Sequence, residues 1–385
     1  MFRWTAFLLW SLPYVIFSST RITASTSATA STYKNVLEIE RVASPGIISI
    51  VADTAATAAR LNATKGLVVD AAGNLFISTE GHRILKVTAS AGLITLLAGT
   101  GVWNFSGDGG LATSAILNYP GGIALDNFGN IYVADTQNDR IRKITVSTGI
   151  ITTVAGGGVG GSRAALDNVA ATSTTLSSPE DVAVDTYGNI YIADRLNHRV
   201  RKVTASTGII TAIAGNGNWD AEPTLPALGV AATISSFVSP SGVTVDTSGN
   251  VFYTDFYFRS VYKITVSTGL LTLVAGGNNW HYGYNGDNIQ ATTALLRRPT
   301  YITLDTLGNI YFTDRFNGRI RKVTVSTGII TNVVGGGVGK NNTKNATSIM
   351  LDSGGIAVDA AGSIYFSDGY RVKRLHFLRL HQAQL

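Results

Sequence analysis

The chain has 385 residues, a formal net charge of +6 and no cysteine. The absence of cysteine excludes disulfides, thiolate metal sites and thiol catalysis. Only 14% of the residues are charged, whereas the chain contains 42 glycines and 15 tyrosines, a composition that favours β-strands and tight turns. A chain of this length can bury a large core without disulfides, so the lack of cysteine does not decide the compartment.

The first predicted element is a secretory signal peptide over residues 1–25. Arg3 is followed by the apolar run TAFLLWSLPYVIF and then by small polar residues, which is the order of a signal peptide. The run is short for a membrane span of about 20 residues, and Pro13 weakens it further. Residues 26–45 predict a Ser/Thr-rich disordered lead-in. We therefore expect a secreted protein with no stable membrane span, and the alternative is a protein tethered by an uncleaved N-terminal anchor.

Beyond residue 60 the sequence repeats one pattern six times: GLVVDAAGNLFIST, GIALDNFGNIYVAD, DVAVDTYGNIYIAD, GVTVDTSGNVFYTD, YITLDTLGNIYFTD and GIAVDAAGSIYFSD. A turn aspartate recurs at intervals of 54 to 61 residues, at Asp70, Asp126, Asp185, Asp246, Asp305 and Asp359. Each unit alternates apolar and polar residues as strands do, and helical solenoids repeat at shorter periods.

Each repeat is interpreted as four short strands. In the second repeat these are GIALD, NIYVAD, RIRKITV and GIITTVAG. The D-x-x-G-N link predicts a tight hairpin, and Gly149 in the S-T-G link supplies the positive φ of a second turn. Tandem four-stranded units are typical of a β-propeller. The predicted fold is therefore all-β, a six-bladed β-propeller of four-stranded blades.

The two ends of the repeat region complement each other. The sixth repeat ends with its third strand, whereas GIISIVA at residues 46–52 matches a fourth strand that has no preceding partner. We expect this N-terminal strand to complete the C-terminal blade and to remove the open edge. The propeller is then assigned to residues 46–377 and a C-terminal tail to residues 378–385.

These motifs resemble those of NHL-repeat six-bladed β-propellers. The matching features are G-[IV]-A-[VL]-D, G-N-I-Y-[VI]-A-D, N-[HD]-R-[IV]-R-K-[VI]-T and G-I-I-T-x-[VI]-A-G, and FSGDGGLATSAILNYP at residues 105–120 resembles the long-linker subtype of bacterial secreted proteins and the teneurin propeller. The resemblance implies that the first strands line a central channel, with these residues facing it: Val68, Ala124, Ala183, Thr244, Thr303 and Ala357. It also places the loops between the second and third strands, with the long linkers, on one face, called the top face.

No catalytic chemistry is evident in the sequence. The lyases of this superfamily hold zinc with several histidines at the pore, and no matching trio is found here. His82 and His198 share one repeat position, which is interpreted as loop packing, and GDGG at residues 107–110 as a turn with weak resemblance to a calcium loop. The turn aspartates and the aspartates that end the second strands are interpreted as structural. We predict no catalytic residue, no metal site and no cofactor.

The positive charge belongs to the repeat. It lies largely on third strands, which we expect to form a girdle around the ring, at Arg140, Arg142, Lys143, Arg199, Arg201, Lys202, Arg319, Arg321 and Lys322. A girdle and a signal peptide argue against nucleic-acid binding. The predicted partners are an extracellular glycan, peptide or protein.

Tryptophan gives the most specific functional pattern. Each of Trp103, Trp219 and Trp280 lies five residues after the alanine that ends a fourth strand. The tryptophans either fill gaps between blades or form a stacking surface. The candidate ligand residues on the top face are Trp219, Asp220, Trp280, His281, Tyr282, Tyr284 and Trp103. Glycosylation sequons occur in the linkers at Asn62, Asn104, Asn341 and Asn345.

The sequence thus predicts a secreted, non-catalytic binding or sensing module that uses its top-face loops. The diversity and length of the linkers, against short and uniform turns on the other face, support this choice of face. A metal-assisted lyase or hydrolase of the six-bladed class is the alternative.

Overall fold

The structure is a computed structural model that describes residues 46–52, 63–158, 165–218, 225–235, 239–277, 281–337, 346–348, 351 and 353–377. The predicted signal peptide, the lead-in and the C-terminal tail lie outside these residues. Among the residues described, no helix has the length and the apolar character that crossing a membrane requires.

The described residues form strands grouped into six sheets. The strands are β1 Gly46–Ala52, β2 Thr64–Val69, β3 Leu75–Thr79, β4 Arg83–Val87, β5 Ile94–Ala98, β6 Pro120–Leu125, β7 Ile131–Asp135, β8 Arg140–Thr145, β9 Ile150–Gly156, β10 Val169–Ala170, β11 Pro179–Val184, β12 Ile190–Asp194, β13 Arg199–Val203, β14 Ile209–Ala214, β15 Pro240–Val245, β16 Val251–Asp255, β17 Ser260–Thr265, β18 Leu270–Ala275, β19 Ile289–Gln290, β20 Pro299–Leu304, β21 Ile310–Asp314, β22 Arg319–Thr324, β23 Ile329–Gly335, β24 Ser353–Val358, β25 Ile364–Asp368 and β26 Arg371–Phe377. Single 3-10 turns occupy Ala112–Ser114, Thr136–Asn138, Ala171–Ser173, Arg195–Asn197, Ala232–Ile234, Ala291–Thr293, Arg315–Asn317 and Ala346–Ser348.

Each sheet contains the four strands of one blade, which confirms the predicted six-bladed all-β propeller. Blades one to five begin with β2, β6, β11, β15 and β20, and blade six begins with β24. In blade six, β1 lies antiparallel to β26, with Gly46 opposite Phe377 and Ile50 opposite Lys373. The outermost strand of this blade therefore comes from the N-terminal side of the repeats.

The first strands of neighbouring blades contact each other in a closed ring, β2, β6, β11, β15, β20, β24 and back to β2. They enclose a central cavity of about 200 Å³, which confirms the predicted channel. All six residues predicted to face it line the cavity: Val68, Ala124, Ala183, Thr244, Thr303 and Ala357.

Apolar side chains fill the space between adjacent blades. Between blades two and three, Ile141 on β8 packs in one buried cluster with Ile192 on β12 and Ile210 on β14, all fully buried. Burial of each such side chain contributes about 1.5 to 3 kcal/mol. The core is therefore a set of layers between the sheets, and it fixes where the loops of each blade lie on the top face.

The turn aspartates close the hairpins between first and second strands. In blade two, the Asp126 Oδ1 atom accepts hydrogen bonds from the N–H groups of Phe128 and Asn130, each at 2.9 Å. The Asn130 amide donates to Asp126 Oδ2 at 2.8 Å. Gly129 has φ +78°, a conformation that glycine adopts without strain. The structural interpretation of these aspartates is confirmed.

The long linkers cover the outer edges of the blades. β10 pairs with β14 and β19 pairs with β23, while Leu111 forms a bridge with Ile150 and Ala231 with Leu270. In blades two to five, the linker that precedes a blade therefore lies along its fourth strand. The covered edge has fewer free N–H and C=O groups for aggregation.

Candidate functional site

The top face carries a repeated inter-blade contact. The loop between the second and third strands contains a residue in the left-handed region, which is His82 in blade one and Asp139 in blade two. The His82 Nδ1 atom accepts a hydrogen bond from the N–H of Tyr119 at 3.1 Å. The Asp139 Oδ1 atom accepts one from Ser178 at 2.7 Å. Each bond joins one blade to the next, and we call it the clasp.

The clasp stabilises a strained backbone. Tyr119 and Ser178 both have φ +48° and both precede proline, where steric restrictions are severe. Accepting an N–H requires an unprotonated ring nitrogen, and burial and the charge of Arg83 lower the pKa of His82. The interpretation of His82 as a loop-packing residue is thus confirmed.

Between blades four and five the clasp residues are two arginines. Arg259 has φ +56° at the position of His82, and Arg298 has φ +56° at the position of Tyr119. A guanidinium group has donors only, so Arg259 cannot accept the N–H of Arg298. The strained backbone is therefore present between blades four and five, but the side chain at the clasp position cannot accept a hydrogen bond as His82 and Asp139 do in blades one and two.

These arginines belong to a larger surface that we call the arginine rim. It comprises Arg195, Arg259, Arg297, Arg298 and Arg315 with the rings of Phe256, Tyr282 and Phe316. Arg298 Cζ lies 4.8 Å from the centre of the Phe256 ring and 4.7 Å from that of Phe316. The Phe256 ring also contacts Arg195 of blade three, whose Cζ atom lies 5.0 Å from the ring centre.

The rim continues through the linker that precedes blade five. Arg259 and Arg297 lie 4.8 and 5.5 Å from the centre of the Tyr282 ring. Arg297 also lies 5.8 Å from the Phe316 ring. Guanidinium groups and aromatic rings therefore alternate across blades three to five. Stacking restricts the arginine side chains and favours a fixed orientation of their donors.

Three other arginines are buried rather than exposed. Arg142, Arg201 and Arg321 have no solvent exposure. Arg142 forms ion pairs with Asp135 at 3.2 Å and with Asp108 at 2.7 Å. The expected girdle is therefore wrong at these three positions, because each guanidinium is enclosed between a strand aspartate and a linker aspartate.

The linker aspartates were not singled out from the sequence as partners of these arginines. Asp108 lies in GDGG, and Asp167 and Asp287 occupy the same place in LDN and GDN. The available signal was their joint occurrence with arginine in the third strand that follows. Gly110 N–H donates to the Gly107 carbonyl at 3.0 Å, so GDGG is a turn, and its aspartate serves Arg142.

The aspartates that end the second strands act as predicted for structural residues. The Asp135 Oδ1 atom accepts the N–H of Asn118 at 2.7 Å, and Oδ2 accepts the Asn138 amide at 2.9 Å. Burial raises the pKa of Asp194 to about 6, although hydrogen bonds and Arg201 oppose the rise. Burial thus raises the pKa of Asp194 more than these partners lower it.

The candidate ligand residues have different surroundings. Trp103 is 69% exposed, which excludes the gap-filling interpretation at this position, and Tyr282 is 56% exposed. His281 is also exposed. Tyr284 is 38% exposed, but Arg319 Cζ lies 3.7 Å from its ring centre and its hydroxyl donates to Asp287 at 2.8 Å.

Tyr282 is thus part of the arginine rim. Tyr284 instead lies over the buried Arg321. The candidates that lie outside the described residues are Trp219, Asp220 and Trp280, and the sequon asparagines outside them are Asn62, Asn341 and Asn345. Asn104 is exposed beside Trp103.

One carboxyl group faces the channel. Asp181 is buried where blades one, two, four and six have glycine and blade five has Tyr301. Its oxygens accept the N–H groups of Val182 and Val243, each at 2.9 Å. Burial raises the pKa of Asp181 to about 8. Across the described residues, no three side chains of histidine, aspartate or glutamate come together in a group able to hold a metal ion.

Two protein families match parts of the chain. The Teneurin NHL domain family matches residues 102–166, and the NHL repeat family matches residues 176–203. The human NHL repeat-containing protein 2 is 26% identical over 322 residues, which is 75% of this chain and 42% of that protein. Mouse Teneurin-4 is 28% identical over 283 residues, which is 65% of this chain and 10% of that protein. The chain therefore spans less than half the length of these relatives.

Among solved structures, a gluconolactonase from Xanthomonas campestris superposes with a TM-score of 0.57 at 11% identity, covering 90% of this chain and 99% of that one. At this level of identity the match supports the shared fold.

Proposed function

We propose that this NHL-repeat six-bladed β-propeller is a secreted, non-catalytic binding or sensing module whose top face holds an extracellular ligand. The observation that carries the proposal is the arginine rim, where exposed aromatic rings alternate with guanidinium groups. Large exposed rings with polar neighbours are typical of recognition surfaces. The fold itself hosts many functions and does not choose among them.

Two aromatic residues support the top face as the binding surface. Trp103 and Tyr282 lie in different linkers, and more than half of each residue is accessible to solvent. Tryptophan and tyrosine are enriched among the residues that contribute most to binding at interfaces, which supports a role of these two side chains in binding. We extend the candidate surface to Trp280 and His281, which lie in the linker of Tyr282, and to Trp219 and Asp220, which lie in the linker that precedes blade four.

Glycosylation would restrict the surface further. We propose that Asn104 carries a glycan, because it is exposed and heads the sequon Asn-Phe-Ser. A glycan at Asn104 would cover its neighbour Trp103. The binding surface would then lie over blades three to five, where the described linker residues contain no sequon.

The test is a binding screen of the purified protein against extracellular glycans, peptides and proteins. Replacing Tyr282 by alanine should weaken binding of the ligand by about 2 kcal/mol or more, as at an interface hot spot. The thermal unfolding of this variant should stay near that of the unchanged protein, because the ring is exposed. Tyr132 is the matched control, since its ring is buried and its loss should lower stability instead.

The lyase or hydrolase alternative is tested with the same protein. Turnover of a substrate that depends on added metal, and that disappears with a chelator, would contradict a non-catalytic role. Ligand binding without turnover would support the binding module.

A further inference from the structure

The arginine rim concentrates positive charge that the fold does not need. Among the described residues, Arg195 pairs with Glu180 at 2.5 Å, whereas Arg297 and Arg298 form no ion pair. Both side chains are exposed, and both contact aromatic rings. Like charges held close together destabilise a folded protein unless a partner of opposite charge is present.

Other blades of this chain adopt the same fold without arginine at the equivalent positions. At the positions of Arg297 and Arg298, blade three has Ser177 and Ser178, and blade two has a threonine, Thr136, at the position of Arg315. Blade two forms the same strands and the same turn without arginine at any of the three positions, and blade three forms the same strands without arginine at the first two. Arginine at these three positions therefore adds positive charge to one arc of the top face.

We infer that the arginine rim binds a sulfated linear polysaccharide. This inference rests on the proposed function and specifies its ligand. A planar guanidinium donates two parallel hydrogen bonds to an oxyanion, which suits sulfate and carboxylate groups. Such a polymer presents anionic groups at regular intervals, which matches guanidinium groups distributed over the loops of three blades.

The rings within the rim distinguish a polysaccharide from an acidic peptide. Tyr282 is 56% exposed and Phe316 is 46% exposed, and each lies between or beside arginines of the rim. A pyranose ring has a flat C–H face that packs on an aromatic ring, while its sulfate groups reach the neighbouring guanidinium groups. An acidic peptide has the charges without the repeated flat face.

The experiment measures binding of heparin to the full-length protein and to a variant with Arg297→Ser, Arg298→Ser and Arg315→Thr. These substitutions install residues that the chain uses at the equivalent positions of other blades. The matched control removes the same amount of charge from the third strands, with Lys143→Gln, Lys202→Gln and Lys322→Gln. Thermal unfolding of all three proteins shows whether they are folded.

We expect the rim variant to bind heparin about 30-fold more weakly, which corresponds to about 2 kcal/mol, and the control to bind nearly as the unchanged protein does. The dependence of log Kd on log salt should fall by about one unit for each arginine removed, because fewer counterions are released. Desulfated heparin should bind far more weakly than heparin.

Several outcomes would overturn the inference. They are the absence of heparin binding at moderate salt, an equal loss of affinity in the lysine control, and tighter, rim-dependent binding of polyglutamate or of single-stranded RNA. A different top-face ligand that needs Tyr282 but not the arginines would overturn this inference and leave the proposed function standing. Rim-dependent binding accompanied by cleavage of the polysaccharide would support the inference and overturn the non-catalytic role.

Discussion

Two sets of arginines in this propeller have opposite environments. Arg142, Arg201 and Arg321 are fully buried on third strands, each between two aspartates. The rim arginines Arg297 and Arg298 are exposed and lie against aromatic rings. The formal charge of +6 counts both sets alike. The comparison shows that a surface property depends on where the countercharges lie, and net charge alone does not report it.

Blade four supports this distinction, because it lacks both the buried arginine of the third strand and the linker aspartate that pairs with it. Tyr262 replaces the buried arginine and stacks on Tyr253, with ring centroids 5.4 Å apart. The preceding linker has Leu228 where the linkers before blades two, three and five have an aspartate, since the next residue, Gly229, donates its N–H to the fourth strand as Gly109 and Asn168 do. The arginine and its linker aspartate are thus present together or absent together within this chain.

The largest expected effect is the loss of a buried arginine. Arg201→Met leaves Asp194 and Asp167 without their guanidinium partner, at 3.4 and 2.9 Å in the structure. Removing one partner of a buried ion pair costs about 3 to 5 kcal/mol, and we expect a loss of this size in the free energy of unfolding measured with urea. Arg298→Met in the rim is the control and should change it by less than about 0.5 kcal/mol. Equal effects of the two substitutions would remove the distinction between the sets.

The next effect concerns a buried carboxyl group that takes its hydrogen bonds from the backbone. The pKa of Asp181 is about 8 in the fold and about 3.9 in an unfolded chain. Between these values the folded state holds one more proton, so stability falls as pH rises, by at most about 1.4 kcal/mol per unit. Asp181→Asn stays neutral and should lose this slope. The free energy of unfolding of the Asp181→Asn variant, relative to that of the unchanged protein, should increase from pH 5 to pH 8. Parallel curves of stability against pH for the two proteins would contradict this.

A smaller effect is expected at the exposed end of a buried pair. Asp108→Asn weakens the contact with Arg142 and the bond from the Thr153 hydroxyl at 2.6 Å, while Asp135 keeps its own contact. We expect a loss of about 1 to 2 kcal/mol. A double-mutant cycle with Arg142→Met measures the coupling, and additive losses would show that Asp108 does not stabilise the buried arginine.

The smallest effect tests the clasp. Arg259→Asp introduces an acceptor near the N–H of Arg298 and should raise stability by up to about 1 kcal/mol. The reverse change, Asp139→Arg, removes the acceptor of the Ser178 N–H and should lower stability by a similar amount. Melting temperatures of the two variants give the comparison. A loss of stability in both would show that the clasp position does not need an acceptor.

The repeat and its local turns were readable from sequence because their causes are local. Asp126 and Asn130 lie four residues apart in one hairpin and bond to each other. The alternation of apolar residues along strands such as IYVAD indicated the faces that pack between blades. The inner-strand positions, including Ala124 and Ala183, followed from the resemblance to a family of known blade order, and the cavity lining agrees.

The tertiary structure decided which charges are exposed and which loops meet. Arg142 and Asp108 are 34 residues apart, and their contact depends on the path of the linker along the following blade. The arginine rim likewise unites residues from three blades and a linker, such as Arg195, Tyr282 and Phe316. Repeat position alone gives Arg142 and Arg140 the same basic character. Burial and countercharge depend on neighbours that are distant in sequence, and these neighbours separate a structural arginine from one available to a ligand.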